Sequence, residues 1–424
     1  MTPEVKERIE QFQHGIVPEG YKRTKSGIYP EDWTEYTLGD IYTERKEPGS
    51  ESLPLLMVSI HSGVSDGEVD EADLPKKVKR IEDKSQYKRA ATGDLVFNMM
   101  RAWQGAIGTV RTEGMVSPAY IVAEPNKLVD PLFMDYLMRT PRMVGTIHKQ
   151  SYGVTDFRLR LYWDSFAPIH CVLPSVPEQE KIGEAVDIQN KIIDLKEKLL
   201  AEKQRQKKYL MQQLLTGKKR LPGFYGKWKY TELGKISEKQ KKKNKKFEYS
   251  QVFSNSAQHG IIPQTEQFDK EIANGEHIDG YYIVHDGFFV YNPRISVTAP
   301  CGPINRNETG KTGVMSPLYT VFSVESEMMN TNFLKQYFSS SCWHKHMKSV
   351  ANYGARHDRM SISDEDFFLM PIPVPCIAEQ QAIATILTTA DKEIDLLRQD
   401  LEQEKQKKKA LMQLLLTGIV RVNA

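Results

Sequence analysis

No stretch of the 424 residues approaches eighteen consecutive apolar positions, so no membrane-spanning helix is expected. Cysteine is scarce, and the four present (Cys171, Cys301, Cys342 and Cys376) form no CxxC pair. That argues against a zinc ribbon or a disulfide framework and fits a reducing cytoplasm. The N-terminus, MTPEVKERIEQFQ, is polar and lacks the apolar centre of a secretory signal. No glycine-rich loop follows a strand-like run, so a seat for S-adenosylmethionine or a nucleotide is missing. Acid is locally missing too: between Lys203 and Tyr230 there is none, against nine lysines and arginines. A second basic block, KQKKKNKKF, spans Lys239 to Phe247, and a third, KQKKK, spans Lys405 to Lys409. Net charge is only +3, so these blocks are local features that suit a polyanion.

What the chain has in abundance is repetition. LMQQLLTG, Leu210 to Gly217, returns as LMQLLLTG, Leu411 to Gly418. Extended back to Glu178 and Glu379, the two copies align without a gap at an offset of 201, sharing EQ, then ID-L, then the LLTG end. This is an internal duplication. Apolar residues recur every seven positions: Val186, Ile193, Leu200 and Leu214 in one copy, Leu387, Ile394, Leu401 and Leu415 in the other. Lys207 and Lys408 occupy the remaining place in each series. Flanking positions Ile182, Ile192, Leu199 and Leu210, and Ile383, Ala390, Leu397 and Leu411, widen the stripe. The pattern predicts two long helices with a coiled-coil seam, polar in the middle and stopped by left-handed Gly217 and Gly418. Each helix needs a partner, and the other copy is the nearest one.

The residues before each helix are duplicated more faintly. LGDI at Leu38 answers LGKI at Leu233, GMVSPAY at Gly114 answers GVMSPLY at Gly313, and SYGVTDFRLR at Ser151 answers NYGARHDRMS at Asn352. The last pair sets Arg158 opposite Arg359. The order is therefore globule, helix, globule, helix, with alike helices and diverged globules. Through the paired EQ…ID…LLTG helices, the G-x-x-SP-x-Y strands and the RM-x-I segment at Arg359 to Ile362, nearly the whole chain resembles the specificity subunit of Type I restriction-modification systems. The resemblance implies an α+β fold: two mixed α/β target recognition domains separated by two long helices packed as an antiparallel coiled coil, a pseudo-twofold internal repeat. It implies an N-terminal segment and first recognition domain at 1–173, a central helical spacer at 174–217, a second recognition domain at 218–374 and a C-terminal helical spacer at 375–424. Each globule would read half of an interrupted double-stranded DNA site. Two modification subunits would supply adenine methylation with S-adenosylmethionine bound to them, and restriction subunits would cut. The chain itself would be cytoplasmic, non-catalytic and without a cofactor or metal. The segment Met1 to Gln13 departs from the pattern in lacking a full-length matching helix.

Catalytic readings fit less well. YNPR at Tyr291 to Arg294 lacks the second proline and the stacking aromatic of an adenine-gripping motif, and a strand-end turn is expected there. TGKT at Thr309 lacks the glycine a phosphate loop needs at position 305, where Asn305 stands, and a hairpin turn is expected. HKH at His344 to His346 has no further ligand cluster and reads as two exposed histidines. A coiled-coil adaptor that binds proteins, or a recognition module split from a single-chain methyltransferase-nuclease, are the alternatives. Sequence readout needs paired donors and acceptors, and phosphate contact needs cations or hydroxyls. The candidates are Arg101, Gln104, Lys149, Gln150, Tyr152, Arg158 and Arg160 in the first globule, and Arg294, Ser296, Asn352, Tyr353, Arg356, His357 and Arg359 in the second.

Overall fold

The computed structural model describes residues 2–65, 83–153, 155, 158–267, 278–325, 327–352 and 358–422. The chain divides into two compact units, residues 1–196 with 400–424, and residues 197–399. The two long helices, Val176–Leu214 and Ile377–Leu415, each contribute to both.

In the first unit a four-stranded antiparallel sheet has the order Tyr42–Arg45, Tyr120–Pro125, Leu95–Asn98, Ile107–Thr109. Thr34–Thr37 pairs with His170–Leu173, and Lys88–Ala90 with Gly114–Val116. The second unit repeats this plan. Its sheet runs Glu238–Lys239, Thr320–Ser323, Phe289–Tyr291, Ile304–Arg306. Lys229–Glu232 pairs with Pro371–Val374, and Tyr282–Val284 with Gly313–Met315. Each sheet buries its aromatic and branched residues against two helices, Pro131–Met138 and Pro141–Gln150 in the first unit, Thr331–Phe338 and His344–Val350 in the second.

The duplicated ends of the long helices are explained inside each unit. Leu415 and Leu416 enter the core of the first unit with Phe97, Phe133 and Ile182. Leu214 and Leu215 enter the core of the second with Phe289, Phe333 and Ile383. Gly217 and Gly418 take the left-handed conformation expected of a helix stop, φ 68° and 70°. The repeated EQ does two jobs. Gln179 accepts from Asp130 N (2.9 Å) and donates to Leu128 O and Pro174 O (3.0 Å each). Gln380 accepts from Asn330 N (2.8 Å) and donates to Met328 O (2.8 Å) and Pro375 O (2.9 Å). Asp130 and Asn330 in turn cap the next helix through Phe133 N and Phe333 N. The buried glutamates meet arginines three residues beyond the glycine stops: Glu178 with Arg421 (2.6 Å), Glu379 with Arg220 (2.6 Å). So the start of each helix is bolted to the chain just after the end of the other.

That bolt requires antiparallel packing, and the seam agrees. In the first unit Gln189 donates to the Glu404 carboxylate (2.6 Å) and Lys196 to Asp400 (2.7 Å). In the second Lys203 pairs with Glu393 (2.6 Å) and Lys207 with Asp391. Val186, Ile193, Leu214, Leu387, Ile394, Leu401 and Leu415 are buried as the sevens predict. Leu199 is not: it stands 44% exposed, off the seam, because one helical partner covers only a narrow stripe. The basic block from Lys203 is also reinterpreted, since Lys203, Lys207 and Arg220 are spent on intramolecular carboxylates. At the N-terminus, Pro3–Gln13 is a short helix whose Arg8 donates to Ile419 O (2.5 Å), while Tyr21 OH donates to Gly418 O (2.8 Å).

Candidate nucleic-acid interface

Each unit builds one exposed polar surface where its inner strand leaves the sheet. In the first unit Leu95–Asn98 ends in an Asx turn, Asn98 Oδ1 accepting from Met100 N at 2.9 Å. The chain then folds through a single 3-10 turn, Ala102–Gln104, and Gly105 at φ 100° lets it return. Ala102 is buried beneath, so Met100, Arg101 and Gln104 face outward. Trp103 is half-buried: its indole N–H donates to Met100 O (3.0 Å) and its ring lies 5.5 Å from that of His148. That contact brings in the last turn of Pro141–Gln150, with Lys149 and Gln150 exposed. A second segment closes the surface. Leu161 N donates to Met99 O (2.9 Å), Tyr152 and Arg160 exchange backbone bonds, and the Tyr152 and Tyr162 rings sit 5.4 Å apart. Arg158 is exposed, and its carbonyl lies where a Cβ on Gly153 would reach it at 2.3 Å, so only glycine permits the bend.

The second unit is launched the same way. Asn292 Oδ1 accepts from Arg294 N at 3.0 Å, and Met360 N donates to Pro293 O at 2.9 Å. Arg294 bridges Arg359 across the backbone, and Asp358 lies 3.9 Å from the first guanidinium and 3.7 Å from the second. Asp358 is itself more than half exposed, so this pairing is weak and exchangeable for phosphate. Ser296 closes a tight turn, exchanging bonds with Ala299, and leaves Val297 at its tip fully exposed. Asn352 pairs with Ser361. Tyr353, Arg356 and His357 lie outside the described residues.

Arg101, Gln104, Lys149, Gln150, Tyr152 and Arg160 thus gather around one knuckle, and Arg294, Ser296 and Arg359 around its counterpart. The buried anchors Leu161 and Met360 make the same link, so the arginine directly before the anchor is Arg160 in one unit and Arg359 in the other. The bridges Tyr152–Arg160 and Asn352–Ser361 instead set Arg160 against Ser361, as the ungapped match of Arg158 with Arg359 does, so the two loops differ in register between bridge and anchor. Sequence reading also passed over Asn98 and Asn292, although an asparagine at the end of both strands was a visible signal. It passed over Met100 and Val297, whose exposure follows only from turn geometry. YNPR is the strand-end turn expected, with Tyr291 in the core. TGKT is a turn organised by buried Asn307, which donates to Lys311 O at 2.9 Å. His344 and His346 are half-buried rather than exposed, His346 bonding Asp366 O at 2.8 Å, because their helix packs one face on the core. Among the described residues no group of three or more metal-binding side chains occurs, and no helix is long and apolar enough to cross a membrane.

The architecture defines a class: a two-unit protein that repeats one sheet-and-loop reader and carries long helices. Residues 225–406 match the Type I restriction modification DNA specificity domain. Over 95% of its length the chain is similar, at 25% identity, to the putative type I restriction enzyme MjaX specificity subunit of Methanocaldococcus jannaschii, covering 97% of that protein. It is 29% identical to the EcoBI specificity subunit of Escherichia coli over 174 residues, 38% of this chain and 35% of that one. A solved chain from a type I R-M system shares the fold at a TM-score of 0.51 and 16% identity, over 92% of this chain and 99% of that one. Together these findings make the chain similar, over nearly its whole length, to specificity subunits of Type I restriction-modification systems.

Proposed function

We infer that the chain recognises an interrupted double-stranded DNA site, each unit reading one half, and serves as the non-catalytic reader for methyltransferase and restriction subunits. One observation carries the reading: the two units launch equivalent exposed loops from equivalent Asx turns and furnish them with different side chains. A common scaffold with unlike tips suits two different half-sites. In the first unit Arg101, Gln104, Lys149, Gln150, Tyr152, Arg158 and Arg160 are the contacts. In the second they are Arg294, Ser296, Asn352 and Arg359, with Tyr353, Arg356 and His357 from beyond the described residues. Arginine forks suit guanine, the amides suit adenine, and the hydroxyls suit phosphate. Two modification subunits bind per chain. Leu195 and Leu396, at matching places in the two helix copies and each 65% exposed, favour two equivalent docking places. S-adenosylmethionine belongs to those subunits, and the complex works in the cytoplasm.

The test is a change of reader. Residues 30–170 are replaced by the corresponding segment of a relative, and the methylated sites of a host carrying the full system are sequenced. One half-site changes and the other stays. A simultaneous change in both halves overturns the reading, and so does a lack of salt-dependent duplex binding by the unaltered chain.

A further inference from the structure

We propose that Lys241–Phe247 is a built phosphate clamp present in the second unit only, gripping the DNA backbone beside that unit's half-site. The proposal rests on the DNA-reading function above and adds an asymmetry to it. Both strands flanking Thr320–Ser323 run antiparallel to it, with Lys239 opposite Phe322 on one side and Tyr291 opposite Thr320 on the other. They therefore leave the sheet at the same end. One continues into the Arg294 loop, and the other, with Gln240 N donating to Val321 O at 2.8 Å, continues into Lys241.

The loop is a defined turn. Asn244 is buried, and its amide brackets Tyr249 through both its oxygen (3.2 Å) and its nitrogen (2.8 Å). Asn244 N donates to Tyr281 O (3.0 Å), and Ile283 N donates to Lys242 O (2.9 Å). Around this anchor Lys241, Lys242, Lys243, Lys245 and Lys246 are all exposed and, among the described residues, none makes an ion pair. Lys239, just before them, is held by Asp364. Phe247 closes the turn in the left-handed region at φ 53°, unfavourable for an aromatic residue, with its side chain 55% exposed. Backbone strain of this kind clusters at functional sites, and here it stands beside five exposed cations.

The first unit shares two of these backbone links and lacks the chemistry. There Arg89 N donates to Glu47 O (2.9 Å) and Gly49 N to Tyr87 O (2.7 Å), which makes Glu47 the counterpart of Lys242 and Gly49 that of Asn244. The equivalent segment, Lys46 to Glu51, has one lysine and two glutamates. Glu47, though exposed, is engaged by charge partners, pairing with Arg45 (2.5 Å) and Arg89 (2.6 Å). Two units with one topology differ here in charge and in the left-handed turn at Phe247, which Ser52 at the matching place does not make.

The experiment compares the full-length chain with a variant carrying Lys→Gln at 241, 242, 243, 245 and 246, keeping Asn244. Binding to a duplex containing the methylated site of the host is measured against salt, with ethylation interference to locate phosphates. Each phosphate that is no longer neutralised lowers the slope of log affinity on log salt by ~0.9, so three of the five lysines at phosphates give a change of about 3. The drop in affinity between low and moderate salt then shrinks by more than tenfold, interference disappears beside the second half-site alone, and the methylated sequence is unchanged. A Lys→Arg variant at the same five positions keeps the slope, which excludes misfolding as the cause. An unchanged slope in the Gln variant, while the unaltered chain binds normally, overturns the clamp and leaves DNA reading intact. Loss of co-purifying methyltransferase subunits with an unchanged slope assigns the loop to a protein partner and also overturns it. If the unaltered chain shows no salt-dependent binding, both readings fall together.

Discussion

Gln179 and Gln380 show what a single repeated residue accomplishes. Each is fully buried and satisfies two carbonyls and one amide of irregular backbone that would otherwise be stranded. Gln380→Leu keeps the volume and removes all three partners. Leaving buried backbone groups unpaired costs ~1 kcal/mol or more each, so urea unfolding shows a fall in stability of about 3 kcal/mol. Asp32 offers a pH test. A hydrogen bond from Arg421, with the guanidinium charge, holds its carboxyl below the usual carboxylate range despite some desolvation. A depressed carboxylate stabilises above its unfolded pKa and loses that contribution as pH falls through the folded value. Stability of the intact chain therefore declines below about pH 4, and Arg421→Gln flattens that limb of the thermal melting profile.

At the scale of the helices, the seam carries polar residues where leucine would pack better. Lys408 is half-buried, and desolvation, with Arg139 nearby, lowers its pKa despite Asp194 and Asp135. A lysine whose folded pKa is lowered opposes folding while protonated, and at neutral pH that penalty is in force. Lys408→Leu is therefore expected to raise stability by about 1 kcal/mol, read as a higher urea midpoint at pH 7. Directional contacts along the seam come instead from Gln189, Lys196, Asp400 and Glu404, which fix its register. The pattern of sevens is legible in the sequence because burial along a helix repeats with its pitch. The exposure of Leu199 is not, because it depends on how much of the stripe one partner covers.

At the scale of the whole molecule, the proposed role is to read and not to react. It has no glycine-rich cofactor loop in its sequence, and Tyr291, the residue nearest in type to an adenine grip, lies in the core. Purified alone and given labelled S-adenosylmethionine and duplex DNA, it is expected to incorporate no methyl groups. Adding the modification subunits restores incorporation at the bipartite site. Methyl transfer by the chain alone would contradict the non-catalytic assignment.

The duplication, the two long helices with their seam and stops, and the order of globules and helices are all fixed by the order of amino acids. Each is written in local periodicity or in direct repetition, and none needs knowledge of what lies across the fold. Which charges are available is settled only once the chain is folded. Lys203, Lys207 and Arg220 read as a polyanion-binding block but are matched by acids about 160 to 190 positions away, whereas Lys241 to Lys246 stay exposed around a buried asparagine. Folding also puts an arginine directly before each buried anchor, Arg160 before Leu161 and Arg359 before Met360, which the sequence offset does not reveal. Charge and spacing are properties of the chain, but whether a cation meets a carboxylate or solvent depends on contacts between residues far apart in it.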